Sequence, residues 1–87
     1  MRHKIRGKIW QLDYVRRLPQ GARGSCDAPT KAGKKIKIKQ SLKGLLKLDT
    51  LIHEGLHAGL WDLDEEAVNE LASDLARMIW KEMQLGR

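Results

Sequence analysis

The sequence predicts an α+β fold in which a small antiparallel sheet of two or three strands is followed by two antiparallel helices. Polar and apolar residues alternate over 9–15 and again over 34–39, as they do in half-buried strands. From residue 42 onward, apolar residues recur every three or four positions, as in amphipathic helices. The 87 residues, of which 41% are hydrophobic, suit a single domain over 1–87 with a compact core.

The first predicted strand covers residues 9–15 and places Trp10, Leu12 and Tyr14 on its inner face. Ile5 is expected to extend this strand, with Gly7 forming a bulge or bend. The next eighteen residues contain both prolines of the chain, several glycines and few apolar side chains. Their composition predicts a long loop that ends near residue 33.

The second predicted strand is short and covers residues 34–39. Its apolar face consists of Ile36 and Ile38, and lysines occupy the positions between them. Because lysines often protect exposed strand edges from pairing with other chains, this strand is expected at an edge of the sheet.

Two helices are predicted after the strands. Ser41 is the expected N-cap of a helix over residues 42–60, and Asp62 or Asp64 is the expected cap of a second helix. Glu65 and Glu66 in the first turn of that second helix would interact favourably with its dipole. Its predicted apolar stripe comprises Ala67, Val68, Leu71, Ala72, Leu75, Met78 and Ile79.

The segment His53-Glu54-Gly55-Leu56-His57 lies well inside the first predicted helix. Residues four apart share a helix face, so His53 and His57 are predicted to bind one Zn²⁺ ion together. Glu54 lies beside that face, where its carboxylate would act as general base on a zinc-bound water. Two ordinary surface histidines are the alternative, but the apolar surroundings and the intervening glutamate favour a site.

A catalytic zinc ion needs a third protein ligand, which is expected from the start of the second helix. The end of one helix and the start of the next are neighbours in an antiparallel pair. Glu65 lies at the flank of the apolar stripe, whereas Glu66 lies almost opposite it. Glu65 is therefore the predicted ligand, and Glu66 is the alternative.

The motif followed by Glu65-Glu66-Ala67-Val68 resembles the gluzincin branch of the HExxH zinc metallopeptidases. It is similar to the small ImmA/IrrE-like, minigluzincin and phage-encoded peptidases over roughly residues 36–80. This resemblance implies hydrolysis of a protein or peptide substrate, with Glu65 as a ligand. In large gluzincins the ligand precedes a small residue, which would favour Glu66. The resemblance also implies a strand whose edge binds an extended peptide, a role expected of residues 36–39.

Several further residues are candidates for supporting roles. Asp49 is four positions before His53 and would orient its ring, or it is a solvent-exposed acid. Asn69 would brace Glu65 in the same way. An oxyanion donor is expected from one of three residues: Tyr14, His3 and Arg23.

Charge divides the chain into two parts. Fourteen of the 17 Lys and Arg residues precede Leu48, whereas most acids follow it. The segment from Lys31 to Lys39 is therefore a candidate contact for a polyanion, although a solvated surface is the more common role of such a run. The competing function is a non-catalytic zinc module that binds nucleic acid or a protein through this basic half.

Cys26 is the only cysteine, so an internal disulfide is excluded and a reducing, cytoplasmic location is predicted. A partly buried structural role is the common one for such a residue. The alternative is a zinc ligand that keeps the enzyme latent. No apolar stretch is long enough for a membrane span. The sequence does not indicate whether the protein is a monomer or an oligomer.

Overall fold

The computed structural model describes residues 1–85 and confirms the α+β class. A four-stranded sheet is followed by two helices, and a single 3-10 turn at Pro19–Gly21 interrupts the connection after the second strand. The elements, in chain order, are β1 Arg2–Ile5, β2 Lys8–Val15, β3 Gly24–Cys26, β4 Lys35–Lys39, α1 Gly44–Gly59 and α2 Glu65–Leu85.

The sheet has the strand order β1-β2-β4-β3 and is mixed. β2 and β4 run parallel, whereas the outer pairs β1–β2 and β3–β4 are antiparallel. The prediction of an antiparallel sheet with two or three strands is therefore wrong in this detail. Alternation within a strand indicates which face is buried, but it carries no information about strand direction or partner.

The first two strands form a hairpin, so Ile5 does not extend β2 as expected. Arg6 and Gly7 both adopt positive φ angles, of 47° and 81°, and they form the two-residue turn between β1 and β2. Such turns match the natural twist of paired strands. Gly7 is therefore a turn residue and not a bulge.

The predicted long loop contains a strand that its composition did not indicate. β3 spans only Gly24–Cys26 and pairs with β4, which leaves β3 at the edge of the sheet. β4 is consequently an interior strand, and the expectation that its lysines guard an edge is wrong. They project instead from one face of the sheet, because Ile36 and Ile38 are buried on the other.

The core lies between the sheet and α1. Trp10 and Ile38 are fully buried there with Ile36 and Ala58, and Leu51 of α1 packs against them. This confirms Trp10 as an inner-face residue. Tyr14 points to the same side but is 46% exposed, because it lies near the end of β2.

The first helix begins later than the sequence predicts. Its N-cap is Lys43, without a side-chain cap, and Ser41 lies in the turn that precedes it. Leu42 packs against the core, and its N–H donates to the carbonyl of Lys39. Gly44 then takes a φ of 61°, so the chain enters the helix through a left-handed residue that favours glycine.

The second helix begins as predicted, because the Asp64 carboxylate accepts a hydrogen bond from the Ala67 N–H at 2.8 Å. Its buried residues within 65–84 are Val68, Ala72 and Ala76. The predicted stripe is wrong at Leu71, Met78 and Ile79, which are exposed. Small alanines allow α2 to pack closely on α1. Neither helix in the described part of the chain has the length and apolarity that a membrane crossing requires.

Candidate metal centre

The two histidines of the motif lie on one face of α1. The Nε2 atoms of His53 and His57 are 3.2 Å apart, and both rings are largely buried. The four-residue spacing brings them together because one helical turn separates them. Their ring nitrogens point toward the start of α2.

Glu65 is the first residue of α2, and it completes a cluster with the histidines. One carboxylate oxygen lies 3.1 Å from His53 Nε2, and the other lies 2.9 Å from His57 Nε2. The Asp64 cap fixes where α2 begins, so it also fixes the direction of the Glu65 side chain. Glu66 is exposed and lies outside the cluster.

The donor set of this cluster fits zinc. Two imidazole nitrogens and one carboxylate are a ligand set of catalytic zinc sites, which leave a fourth position open. Tetrahedral ligands at bonds of about 2.0 Å are separated by roughly 3.3 Å, close to the spacing of these three residues. Ligand atoms from His53, His57 and Glu65 all lie within 4.8 Å of one another. These residues would hold the ion with little rearrangement.

Glu54 lies beside the cluster and is only 6% exposed. Burial raises the pKa of its carboxyl to about 7, and the negative charge of Glu65 contributes to this increase. Thr50, one turn earlier on α1, is also buried, and its hydroxyl donates to the Leu46 carbonyl.

β3 lies directly over this part of α1. A Cβ atom at Gly24 would come within 2.8 Å of Glu54 Oε2 and 2.9 Å of Thr50 Cγ2. Glycine is therefore required by space at this position, since its φ angle is not in the left-handed region. The close approach brings the edge strand within contact distance of the predicted general base.

A cavity of about 260 Å³ opens beside the cluster. Residues from three elements surround it, and almost all are polar: Arg23, Gly24, Asp49, Thr50, His53, Glu54, Glu65, Asn69 and Ser73. The Ser73 hydroxyl donates to Asp49 at 3.1 Å, so Asp49 contacts α2, and among residues 1–85 no hydrogen bond joins Asp49 to His53. Asn69 lines the cavity, and no side-chain bond joins it to Glu65 among the described residues.

The three candidate oxyanion donors differ in their position relative to the cavity. Arg23 lines the cavity, whereas His3 lines a groove beside Trp10 on another side of α1. Lys47 lies over the ring of Tyr14, 4.9 Å from its centroid, and Tyr14 does not line the cavity. The position of Arg23 makes it the candidate that the geometry favours.

Cys26 lies outside the histidine–glutamate cluster. Its Sγ donates to the Asp27 carbonyl, and burial, with contributions from Glu54 and Asp27, raises the pKa of the thiol to about 12. The arrangement favours the structural role of Cys26 over the latency role.

Sequence reasoning missed three residues of the cavity: Gly24, Thr50 and Ser73. Thr50 had a usable signal, since it lies four residues before Glu54 and therefore shares its helix face. Ser73 is likewise eight residues after Glu65, on the same flank of α2. Gly24 had no signal, because its role depends on a strand that composition did not reveal.

Comparison with known proteins gives no match. No protein-family model matches the chain, and neither a curated protein nor a solved structure is significantly similar to it. The gluzincin resemblance therefore depends on the motif residues themselves, and the geometry of the cluster is independent support for a metal site.

Replacing Glu65 with alanine is expected to weaken zinc binding far more than replacing Glu66. Only Glu65 contacts both histidines, so its loss leaves two ligands. Exposed Glu66 contributes only a few tenths of a kcal/mol to the stability of α2, through the helix dipole. Competition with a chromogenic chelator measures both affinities. Loss of zinc from Glu66→Ala with retention by Glu65→Ala would show that the alternative ligand assignment is correct.

Replacing Gly24 with alanine is expected to destabilise the protein by about 1–3 kcal/mol, because the new methyl group overlaps buried Glu54 and Thr50. Gly55→Ala is the matched control. Gly55 lies in α1 next to Glu54, and a Cβ atom added there would meet nothing within 4 Å. That control should be neutral or stabilise by up to about 1 kcal/mol. Urea unfolding measures both; equal effects would contradict the close approach of β3.

Proposed function

We propose that this chain is a zinc-dependent peptidase in which His53, His57 and Glu65 hold the metal and Glu54 is the general base. The observation that carries the proposal is the convergence of three ligand side chains beside a buried glutamate in an open polar cavity. Each residue alone is common on protein surfaces. Their combination matches the requirements of metal-assisted hydrolysis.

When bound, zinc would supply a Lewis acid and lower the pKa of water to about 7. Glu54 would accept the proton of the attacking water on a carboxylate oxygen and pass it to the leaving amide nitrogen. Arg23 would stabilise the negative charge that develops on the carbonyl oxygen. Asp64, as the cap of α2, has a positioning role, because it orients Glu65.

The substrate class that fits this site is an extended peptide or an unfolded segment of a protein. Ser25 pairs opposite Lys37, the Lys39 N–H donates to the Arg23 carbonyl, and the Asp27 N–H donates to the Lys35 carbonyl. In an antiparallel pair, every second residue directs its backbone N–H and C=O to the partner strand. Residues 23, 25 and 27 direct theirs to β4, so the N–H and C=O groups of Gly24 and Cys26 point outward from the edge of the sheet. A peptide would add to this edge as a further strand.

This assignment differs from the expectation that residues 36–39 bind the peptide. β4 is paired on both sides, by β2 and β3, and has no free edge. β3 has one, and Gly24 at its start lies against Glu54. A peptide on β3 would therefore pass beside both the general base and the metal ligands.

A non-catalytic zinc module is the competing function. It would use the same three ligands, but it would give no role to a buried glutamate beside an open cavity. The cytoplasmic location of the protein, inferred from its single cysteine Cys26, stays a prediction from the sequence.

The proposed function is tested by incubating the zinc-loaded chain with a mixture of unstructured peptides and detecting products by mass spectrometry. We expect cleavage that a chelator abolishes and that added zinc restores. Glu66→Gln, which changes an exposed neighbour of the ligand, is the control and should retain activity. A chain that binds zinc at full stoichiometry and cleaves no peptide in a diverse mixture would contradict the proposal.

Removing zinc is expected to lower the melting temperature without unfolding the chain. Trp10 and Ile38 are fully buried in the core between the sheet and α1, and Val68 of α2 is fully buried as well, so the metal adds to an existing core. Free zinc at a hundredfold excess over Kd should stabilise by about 2.7 kcal/mol, which raises Tm by roughly 10–20 °C in a domain of this size. Circular dichroism measures both states. An unfolded chain without zinc would make the metal structural.

A further inference from the structure

The face of the sheet opposite the helices carries a concentration of positive charge. Ile36 and Ile38 of β4 are buried against α1, so the alternate residues Lys35, Lys37 and Lys39 project from the other face. The contacts of α1 with β1, β3 and β4 are made on the buried side, and α2 packs on α1. Neither helix covers the lysine face.

Two more cations join these lysines from β1. Arg2 and Lys4 pair opposite Gln11 and Ile9, which flank buried Trp10 and therefore also project outward. The register of the sheet thus places five cations on one surface. We call this surface the basic sheet face; it consists of Arg2, Lys4, Lys35, Lys37 and Lys39.

Two carboxylates lie close to these cations; that of Asp27 accepts the Lys35 N–H at 2.8 Å and lies 3.6 Å from Lys31 Nζ. Asp13 is the one acid that β2 contributes to the same surface, and it contacts Lys35 at 3.7 Å. Within residues 1–85, none of the other four cations lies within salt-bridge distance of a carboxylate. Their charge is therefore available to an external partner.

We propose that the basic sheet face binds the phosphate backbone of a nucleic-acid duplex without reading its sequence. Lys35 and Lys39 are four residues apart, about 13 Å along a strand. A DNA duplex carries one charge per about 1.7 Å of axis, so roughly eight phosphates, counted over both strands, lie along the same length. The duplex therefore has enough phosphates to offer one to each lysine.

The side chains between the cations distinguish a duplex from other anionic partners. Ile9, Gln11, Val15 and Ser25 include no aromatic ring, and the three tryptophans and the tyrosine of the chain lie elsewhere. Single-strand binding depends on aromatic stacking, and membrane surfaces favour aromatic and large apolar anchors. The face carries one exposed large apolar side chain, that of Ile9, and no aromatic ring, so its chemistry fits a duplex backbone.

Binding on this face would leave the peptidase site open, because the cluster lies on α1 and α2 on the other side of the sheet. The two activities are therefore separable by mutation. Glu54→Gln and the metal-free chain should bind a duplex as well as the native chain does. The failure of one proposal consequently leaves the other intact.

The test is fluorescence anisotropy of the full chain with a labelled 30-base-pair DNA duplex over a range of salt concentrations. The paired substitution Lys37→Gln and Lys39→Gln should weaken binding at 0.1 M salt on the order of tenfold or more and reduce the log–log salt slope by about 2. The matched control is Lys43→Gln with Lys81→Gln. It removes the same charge from exposed positions off this face and should change binding less than twofold.

Three results would overturn this proposal. The first is that the native chain binds no duplex at 50 mM salt. The second is that both double variants lose affinity equally, which would indicate diffuse attraction. The third is that the chain binds single-stranded DNA or anionic lipid vesicles more tightly than the duplex. Circular dichroism of both variants verifies that they are folded, which is expected because the replaced side chains are at the surface.

Discussion

Replacing Glu54 with glutamine is expected to reduce peptide hydrolysis by about 10²–10⁴-fold while zinc stays bound at one ion per chain. Glutamine has nearly the same shape, but it cannot accept the proton of the attacking water. Glu54 is not among the three clustered ligand residues, so the donor set is intact. Hydrolysis rates with a cleaved peptide, and zinc content in the same preparation, measure the two effects.

The control for this variant is Glu66→Gln, which makes the same chemical change twelve residues along the chain at an exposed position. It should change the rate less than twofold. If Glu54→Gln keeps native turnover, Glu54 is not the base. If it loses both zinc and turnover, Glu54 contributes to the metal centre and the division of roles is wrong.

Replacing His53 or His57 with alanine is expected to reduce zinc affinity by at least about a hundredfold. Loss of a residue that merely supports a ligand costs 10–100-fold, and loss of a ligand should cost more. Each histidine contributes one Nε2 atom within about 3 Å of a Glu65 oxygen, so neither replaces the other. Chelator competition measures the affinities.

His3 provides the matched control for these variants. His3→Ala removes the remaining histidine of the chain from a groove on the β1 side of α1, away from the cluster. Zinc affinity should be unchanged. If all three alanine variants retain native affinity, the ion binds elsewhere.

The sequence was sufficient to predict the residues of the cluster, because they depend on local geometry. A four-residue spacing places His53 and His57 together on a helix wherever that helix packs. The direction of Glu65 follows from the start of α2, and the Asp64 cap gave a local signal for that start. These rules need no knowledge of distant partners.

The sheet depended on distant partners and was predicted less well. β3 is three residues long and contains one glycine, so neither alternation nor composition reveals it. Its place beside β4 is determined by pairing across the chain, and the parallel β2–β4 pair has no signature in either strand. The edge strand over Glu54 was missed for this reason.

The predicted apolar stripe of α2 is correct at Val68 and Ala72 but includes exposed large residues and omits Ala76, which is buried. Leu71 and Met78 are 39% and 56% exposed, whereas Ala72 and Ala76 are buried against α1. Close helix packing selects small side chains at the contact and leaves the larger ones at its borders. Periodicity alone therefore does not determine how far the helix is rotated about its axis relative to α1.

The central claim is that a zinc ion binds at His53, His57 and Glu65, and zinc K-edge X-ray absorption of the native chain tests it most directly. We predict one bound zinc ion with nitrogen and oxygen ligands at about 2.0–2.1 Å, including two imidazoles, and no sulfur at about 2.3 Å. A chain that binds no zinc would contradict the claim, as would a spectrum with a sulfur ligand from Cys26 or fewer than two imidazoles.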